Sequence, residues 1–115
     1  MAYDQELADR IRMIIGGDPV LTATLTEKKM FGGLAFLIGG NMAISASGQG
    51  GVLVRVNPAE TERLTETTGA TVAVMGGRPR TGWLRVGAAD VDADAGLVPW
   101  VERGTAYARS LPPKR

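Results

Sequence analysis

The fold of this chain is decided by residues 28–42, which read KKMFGGLAFLIGGNM. Two glycine pairs, Gly32-Gly33 and Gly39-Gly40, enclose a short apolar run, and such pairs mark tight turns. Inside the run and after the second pair, apolar side chains alternate with the period of two that is typical of a β-strand (Leu34, Phe36 and Ile38; Met42, Ile44 and Ala46). The stretch therefore predicts a β-hairpin whose two arms share one apolar face.

The residues before the hairpin predict a helix followed by extended chain. Asp4 is a candidate N-cap of a helix that ends at Gly16-Gly17. Its apolar side chains recur at helical spacing (Leu7, Ile11, Ile14 and Ile15). Pro19 prevents the helix from continuing, and the threonines among residues 20–26 favour extended structure.

The residues after the hairpin predict a third strand and a second helix. A glycine-rich turn at 48–51 leads into an apolar strand over 52–56, which extends the hairpin to an antiparallel meander. Asn57 supplies the cap of the next helix, Pro58 fits its first position, and Gly69 ends it.

Two more strands and a last helix complete the chain. The strands cover 71–74 and 83–86, and a turn-rich segment joins them. The final helix carries a stripe of apolar and small side chains that permits close packing on a sheet (Leu97, Val101, Gly104, Ala108 and Leu111). Pro99 predicts either a bend in this helix or a helix start near that residue. Residues 112–115 read as a mobile basic tail.

Taken in order, these elements give α-β-β-β-α-β-β-α. This order predicts an α+β fold with two layers, in which one antiparallel sheet of about five strands is covered on one face by helices. A chain of 115 residues can build one hydrophobic core. We therefore expect a single domain over residues 1–115.

The composition excludes several kinds of chemistry. Because the chain contains neither histidine nor cysteine, it has no disulfide, no thiolate zinc site and no histidine base. We expect no cofactor and no metal ion. The formal net charge of +1 is too small for long-range attraction to a polyanion. The acidic N-terminus is unlike a signal peptide, and no apolar run approaches the roughly 20 residues that span a bilayer, so we expect a cytoplasmic protein that does not bind membranes.

Several motifs resemble the N-terminal domain of the TfoX/Sxy family of competence regulators. In chain order they are Lys29-Met30-Phe31-Gly32-Gly33, Gly40-Asn41-Met42, Leu53-Val54-Arg55-Val56, Gly77-Arg78-Pro79 with Gly82-Trp83, and Trp100-Val101-Glu102-Arg103-Gly104. The resemblance implies a two-layer α+β architecture and a regulatory or interaction role, and it brings no catalytic residues. Full-length competence regulators carry a further C-terminal helical domain, for which 115 residues leave no room. We therefore expect the N-terminal domain alone, without an assigned role in competence or transcription control.

Basic residues are the candidate contact sites. Lys28 and Lys29 could contact phosphate, but neighbours on a strand point to opposite faces, so any one surface receives at most one of them. The alternative is an edge strand that lysine protects against pairing with other chains. A second group combines arginines with an aromatic ring and suits phosphate contact and base stacking (Arg78, Arg80, Trp83 and Arg85). The alternative there is that the tryptophan packs in the core and the arginines pair with acids.

Three functions stay open from the sequence. The first is a non-enzymatic domain that offers a sheet face, a strand edge or a helix groove to a protein partner or to a second copy of itself. The second is nucleic-acid binding through the arginine and tryptophan group, helped by the basic tail. The third is a small-molecule enzyme, which would need a perturbed carboxylate in a well-formed cleft.

Overall fold

A computed structural model describes residues 3–30 and 32–114. Phe31 of the first motif and Arg115 of the expected tail lie outside the described residues. Within the described residues the chain forms four α-helices: α1 (Gln5–Gly16), α2 (Pro19–Thr22), α3 (Thr61–Thr67) and α4 (Asp94–Ser110). It also forms six β-strands: β1 (Leu25–Met30), β2 (Gly33–Ile38), β3 (Asn41–Ala46), β4 (Val52–Arg55), β5 (Thr71–Met75) and β6 (Arg78–Val86).

The strands form one antiparallel sheet in the order β1-β2-β3-β4-β6-β5, which confirms the α+β class. The sheet has one strand more than the sequence indicated, because β1 pairs with β2 along its whole length. The expectation of extended chain over residues 20–26 is wrong in its first half. Pro19 opens the short helix α2 there, and the Asp18 carboxylate caps it by accepting a hydrogen bond from the Val20 amide at 2.9 Å.

The helices pack against one face of the sheet and enclose the main core. Side chains of α1, α3 and α4 meet the apolar side chains of the central strands there, among them Ile11, Phe36, Val54 and Leu84, all fully buried. Gly104 lies where α4 crosses β3. A Cβ atom added to Gly104 would be 2.4 Å from the carbonyl oxygen of Ala43, so the absence of a side chain allows this contact.

A β-bulge in β3 changes the face on which one predicted core residue lies. Phe36 pairs with Ile44, whereas the next residue, Leu37, pairs with Met42, which leaves Ala43 as an extra residue on β3. Met42 consequently packs on the face opposite the helices, while Ile44 stays on the helix face. The prediction that Met42 and Ile44 share one face is therefore wrong.

The C-terminal half follows the predicted elements with different bounds. β5 and β6 are joined by the short turn Gly76-Gly77, so β6 begins at Arg78 rather than at Trp83. The alternative that α4 starts near Pro99 is wrong, since the helix begins at Asp94 and contains Pro99. Residues 112–114 lie against the β2–β3 turn, where the Lys114 amide donates a hydrogen bond to the Gly39 carbonyl at 2.7 Å. The mobility of this tail stays a prediction.

Candidate functional site

The face of the sheet opposite the helices, here termed the outer face, has an apolar cluster of its own. Four buried side chains form its centre, and four half-buried ones surround them (Ala35, Met42, Leu53 and Ala73; Met30, Leu37, Met75 and Trp83). All eight belong to strands, whereas the core on the other face combines strands with helices. Among the described residues, no helical side chain joins the outer-face cluster. One side of the sheet is thus left without a helix layer.

Strand pairing aligns one row of side chains across the outer face. From the β1 edge to the β5 edge the row consists of Lys28, Ala35, Ser45, Leu53, Arg85 and Thr71. Paired residues project from the same face, and Lys28 and Arg85 are four strand spacings apart, which corresponds to about 19 Å. The three residues between them are buried. The row is therefore a low, mostly apolar floor with a cation at each side.

Arg55 lies at the rim of the outer face between two aromatic rings. Its guanidinium carbon is 5.2 Å from the centroid of the Trp83 ring and 5.6 Å from that of the Tyr107 ring on α4. Both distances lie within the range of cation–π attraction. Among the described residues, no acceptor receives a hydrogen bond from the Arg55 side chain, which is half-buried. The rings thus hold the guanidinium in place while its N–H groups remain available.

The charged residues are divided unequally between the two faces. The chain has twelve acidic residues, all within the ranges that the structure describes, and of these only Glu27 lies in a strand. Glu27 pairs with Phe36, a core residue, and accepts hydrogen bonds from Arg12 of α1 at 2.6 and 2.8 Å, so it faces the helices. The other eleven lie in helices or in the segments next to them. The charged side chains that strand pairing places on the outer face are therefore basic.

The structure separates the two predicted lysines. Lys28 pairs with Ala35 and lies on the outer face, whereas Lys29 pairs with Leu34 and lies on the helix face. Both are exposed on β1, which is an edge strand. This arrangement agrees with the alternative given above, an edge strand that lysine protects against pairing with other chains. Only Lys28 is therefore placed to contribute to a site on the outer face.

The predicted arginine and tryptophan group is spread along β6. Arg78 lies opposite Met75, next to the hairpin turn, and the exposed Arg80 donates a hydrogen bond to the Met75 carbonyl at 3.3 Å. Trp83 is half-buried within the outer-face cluster. Arg85, also half-buried, donates a hydrogen bond to the Ser47 hydroxyl at 3.1 Å. Trp83 and Arg85 thus lie on the outer face in the part of β6 that pairs with β4, whereas Arg78 lies at the hairpin end of β6.

Sequence reasoning missed Arg55 as a site residue. The available signal was a single charged residue inside the apolar strand Val52–Val56, at a position that alternation assigns to the face away from the core. Its ring partners could not be inferred, because Trp83 and Tyr107 are 28 and 52 residues further along the chain. Only the pairing of β4 with β6 and the position of α4 bring the three side chains together.

Ion pairs and an open groove lie on the helix side. The hydrogen bonds from Arg12 lower the pKa of Glu27 below its ordinary value, and the same pair raises the pKa of Arg12. An open groove of about 320 Å³ runs between α3 and α4, and its charged lining residues are Glu60 and Arg103. Glu60 pairs with Arg63, and the Arg103 guanidinium lies 4.5 Å from the Trp100 ring centroid. Both groups thus already have partners within the helix layer.

Two further findings concern metals and membranes. Within residues 3–30 and 32–114, no set of three or more acidic side chains is arranged to hold a metal ion. Over the same ranges, none of the helices combines the length and the apolar character that crossing a bilayer requires.

Comparison with known proteins gives one match. The model of the TfoX N-terminal domain family matches residues 21–108 of the 115. This range contains all six strands together with α3 and most of α4. No curated protein and no solved structure matches the chain.

Proposed function

This chain belongs to the TfoX N-terminal domain family, and from that premise we propose that it is a regulatory domain that acts by binding another protein through its outer face. The observation that carries the proposal is the outer-face cluster, in which Met30, Leu37, Met75 and Trp83 are half-buried and which no helical side chain of the described residues joins. Apolar side chains gathered on one open face mark an interaction site more often than a scattered distribution does.

The second support is the contrast between the two faces of the sheet. On the helix face, α1 and α4 bury the apolar strand residues and complete a two-layer unit. The outer face has the same alternation of apolar strand residues, and among the described residues its apolar cluster consists of strand side chains alone. A third layer, supplied by a partner, would complete the outer face as α1 and α4 complete the other one.

The test is affinity capture from the native lysate with a matched pair of surface variants. Leu37→Gln removes an apolar side chain from the outer face, and Met13→Gln removes one from the solvent side of α1, where Met13 is 78% exposed. We expect the wild-type chain and Met13→Gln to retain the same partner and Leu37→Gln to lose it. A strictly monomeric chain that retains nothing at micromolar concentration, or equal retention by both variants, would contradict the proposal.

A second candidate function is nucleic-acid binding, favoured by the basic character of the outer face and by Trp83 within it. Phosphate contacts would make the affinity fall steeply with salt. We would then expect the double variant Arg78→Ala, Arg80→Ala to weaken binding to duplex or single-stranded DNA at low salt. Affinity no better than millimolar, or affinity unchanged in the double variant, would exclude this function.

The proposal further includes a non-enzymatic role and a cytoplasmic location. Within the described residues, the carboxylate with a resolved pKa shift is Glu27, and that shift has a structural cause in the Arg12 ion pair rather than a cleft. A small-molecule enzyme is the remote alternative. Turnover of a metabolite by the purified chain would establish it.

A further inference from the structure

We propose that the outer face binds an acidic amphipathic helix of a partner protein, and that Arg55 receives a carboxylate of that helix. The inference rests on the proposed function and specifies the chemistry of the occupant. It follows from the guanidinium of Arg55, which donates no hydrogen bond to another described residue, from the apolar floor of the outer face, and from the charges around that floor.

Arg55 is built as a carboxylate receptor. Its guanidinium is held at 5.2 Å from the Trp83 ring centroid and 5.6 Å from that of Tyr107, so part of the entropy of fixing a long side chain is already lost before binding. A guanidinium has five N–H donors, and those of Arg55 make no hydrogen bond to another described residue. An arginine edge matches the two oxygens of a carboxylate and forms paired charge-assisted hydrogen bonds with it.

The floor of the outer face suits a helix. Three of the five methionines of the chain, Met30, Met42 and Met75, belong to the outer-face cluster. Methionine side chains adapt to the shape of an apolar helix and are frequent on surfaces that bind helices. The distance of about 19 Å between the strands that carry Lys28 and Arg85 corresponds to about 13 helical residues at 1.5 Å per residue. A helix of three to four turns would therefore place acidic residues beside cations at both sides of the floor.

Charge complementarity favours this occupant over a second copy of the chain. Two outer faces brought together around a two-fold axis would place Lys28, Arg55 and Arg85 of one copy near the same cations of the other, with no acidic residue of the outer face between them. Like charges in a desolvated contact are unfavourable. The β1 edge opposes strand pairing between copies as well, because it exposes Lys28 and Lys29.

The same surface is less suited to nucleic acid. Its cations surround an apolar floor instead of forming a continuous track, and Arg80 already donates a hydrogen bond to a backbone carbonyl. Trp83, the aromatic residue of the outer-face cluster, is half-buried and packs beside Arg55. Successive bases stack on exposed rings along a basic groove, which this arrangement does not provide.

The experiment uses the full chain and two synthetic peptides of the same length. Each peptide is an 18-residue amphipathic helix with leucines on one face; one carries glutamates at both ends of the polar face, and the other carries lysines there. Fluorescence anisotropy measures affinity, and backbone amide shifts map the contact. We expect the glutamate peptide to bind the outer face with a Kd of order 10–100 µM, and the lysine peptide to bind at least tenfold more weakly because of charge repulsion.

Adjacent lysines on opposite faces of β1 provide a matched control. Lys28→Gln should weaken binding of the glutamate peptide about threefold by removing one exposed charge at the rim. Lys29→Gln, on the helix face, should leave the affinity for this peptide unchanged. Arg55→Gln should weaken binding of the glutamate peptide about tenfold, since the paired hydrogen bonds to a carboxylate are lost. Arg55→Lys keeps the charge and loses the planar fork, so it should give an intermediate loss and provides the test if Arg55→Gln does not fold.

Four results would overturn the inference. The first three are equal binding of the two peptides, an affinity for the glutamate peptide that neither Arg55 variant changes, and tighter binding of a 20-base-pair duplex than of the glutamate peptide at the same salt. Dimer formation that Leu37→Gln abolishes would also overturn it, because a second copy would then occupy the outer face. The lysate capture separates this inference from the proposed function. If any of these results except the duplex result is obtained, but Leu37→Gln loses the lysate partner and Met13→Gln keeps it, the proposed function still holds and only the acidic helix is excluded as the occupant.

Discussion

Replacing Gly104 by alanine tests how α4 is seated on the sheet. The added Cβ would lie 2.4 Å from the carbonyl oxygen of Ala43 and 3.2 Å from a methyl group of Val54. Ala43 is the extra residue of the bulge in β3, and Val54 is fully buried in the neighbouring strand. Neither atom belongs to the far end of a flexible side chain. Relief of the contact therefore requires α4 to move away from the central strands by about 1 Å, since nonbonded carbon contacts normally lie near 3.5 Å.

The expected loss combines two effects of opposite sign. Overpacking against a rigid neighbour costs about 3 kcal/mol, at the upper end of the usual range, because the clash involves backbone. Alanine in a helix interior is favoured over glycine by about 1 kcal/mol, which offsets part of that loss. The free energy of unfolding should thus fall by about 2 kcal/mol, which for a domain of this size lowers the Tm by about 8 °C.

The matched control for this substitution is Gly16→Ala. Gly16 is the last residue of α1, has no heavy atom within 4 Å of an added Cβ, and does not have a positive φ. Its replacement should raise the free energy of unfolding by about 0.5 kcal/mol through helix propensity alone. Urea unfolding followed by circular dichroism measures both changes. If Gly104→Ala is as stable as the wild-type chain, or if the two variants shift stability in the same direction, the close seating of α4 on β3 is wrong.

Three further predictions concern the core, the ion pair and the tail. Leu84→Ala, at a fully buried position, should lower the free energy of unfolding by about 3 kcal/mol in urea, and a loss below about 1 kcal/mol would place Leu84 outside the core. Because Arg12 lowers the pKa of Glu27 in the folded chain, the pair stabilises the fold above the ordinary glutamate pKa of about 4.3 and loses this effect as the pH falls through the folded value. Glu27→Gln should therefore lower the free energy of unfolding by about 0.5 kcal/mol at pH 7, a small amount because solvent screens the pair. If the wild-type chain and Glu27→Gln differ in the free energy of unfolding as much near pH 3 as at pH 7, the ion pair is not the cause. Asn41→Ala removes the 3.0 Å hydrogen bond to the Pro112 carbonyl, so the heteronuclear NOE of the Lys114 amide should decrease, and an unchanged value would mean that this bond does not hold the tail.

The sequence predicted those elements for which local signals agree. Alternating apolar residues between glycine pairs specified β2 and β3, and a cap with a proline at the first position specified the turn of 3-10 helix over 58–60 that leads into α3. β1 was predicted only in part, because its polar residues 26–29 show no alternation of apolar and polar side chains. As an edge strand, β1 is stabilised by its pairing with β2 instead of by burial. Propensity favoured strand at residues 20–22, where the Asp18 cap and Pro19 favour a helical turn.

The candidate site was less predictable than the fold. Lys28, Trp83 and Arg85 are recognisable as basic and aromatic residues in strands, but their common face depends on the order of six strands, which no local pattern contains. Met42 shows the limit most clearly. Its spacing from Ile44 assigns it to the core, and one extra residue in the bulge transfers it to the outer face. The contact between Arg55 and Tyr107 depends in addition on the packing of a helix that begins 39 residues after Arg55.

The net charge of +1 conceals an unequal distribution that matters for binding. Exposed charges separated by more than the Debye length, about 8 Å at physiological salt, are largely screened from one another, so the summed charge of the chain has little effect on a partner in contact with it. The described residues extend over 33 × 29 × 27 Å, so a partner at contact distance interacts with one face at a time. On one side it meets the helix layer, where acidic residues are interspersed with arginines, and on the outer face it meets Lys28, Arg55 and Arg85, which no acidic residue of the described strands accompanies. An acidic helix is thereby attracted to the outer face, and its affinity should decrease with salt although the chain as a whole is nearly neutral.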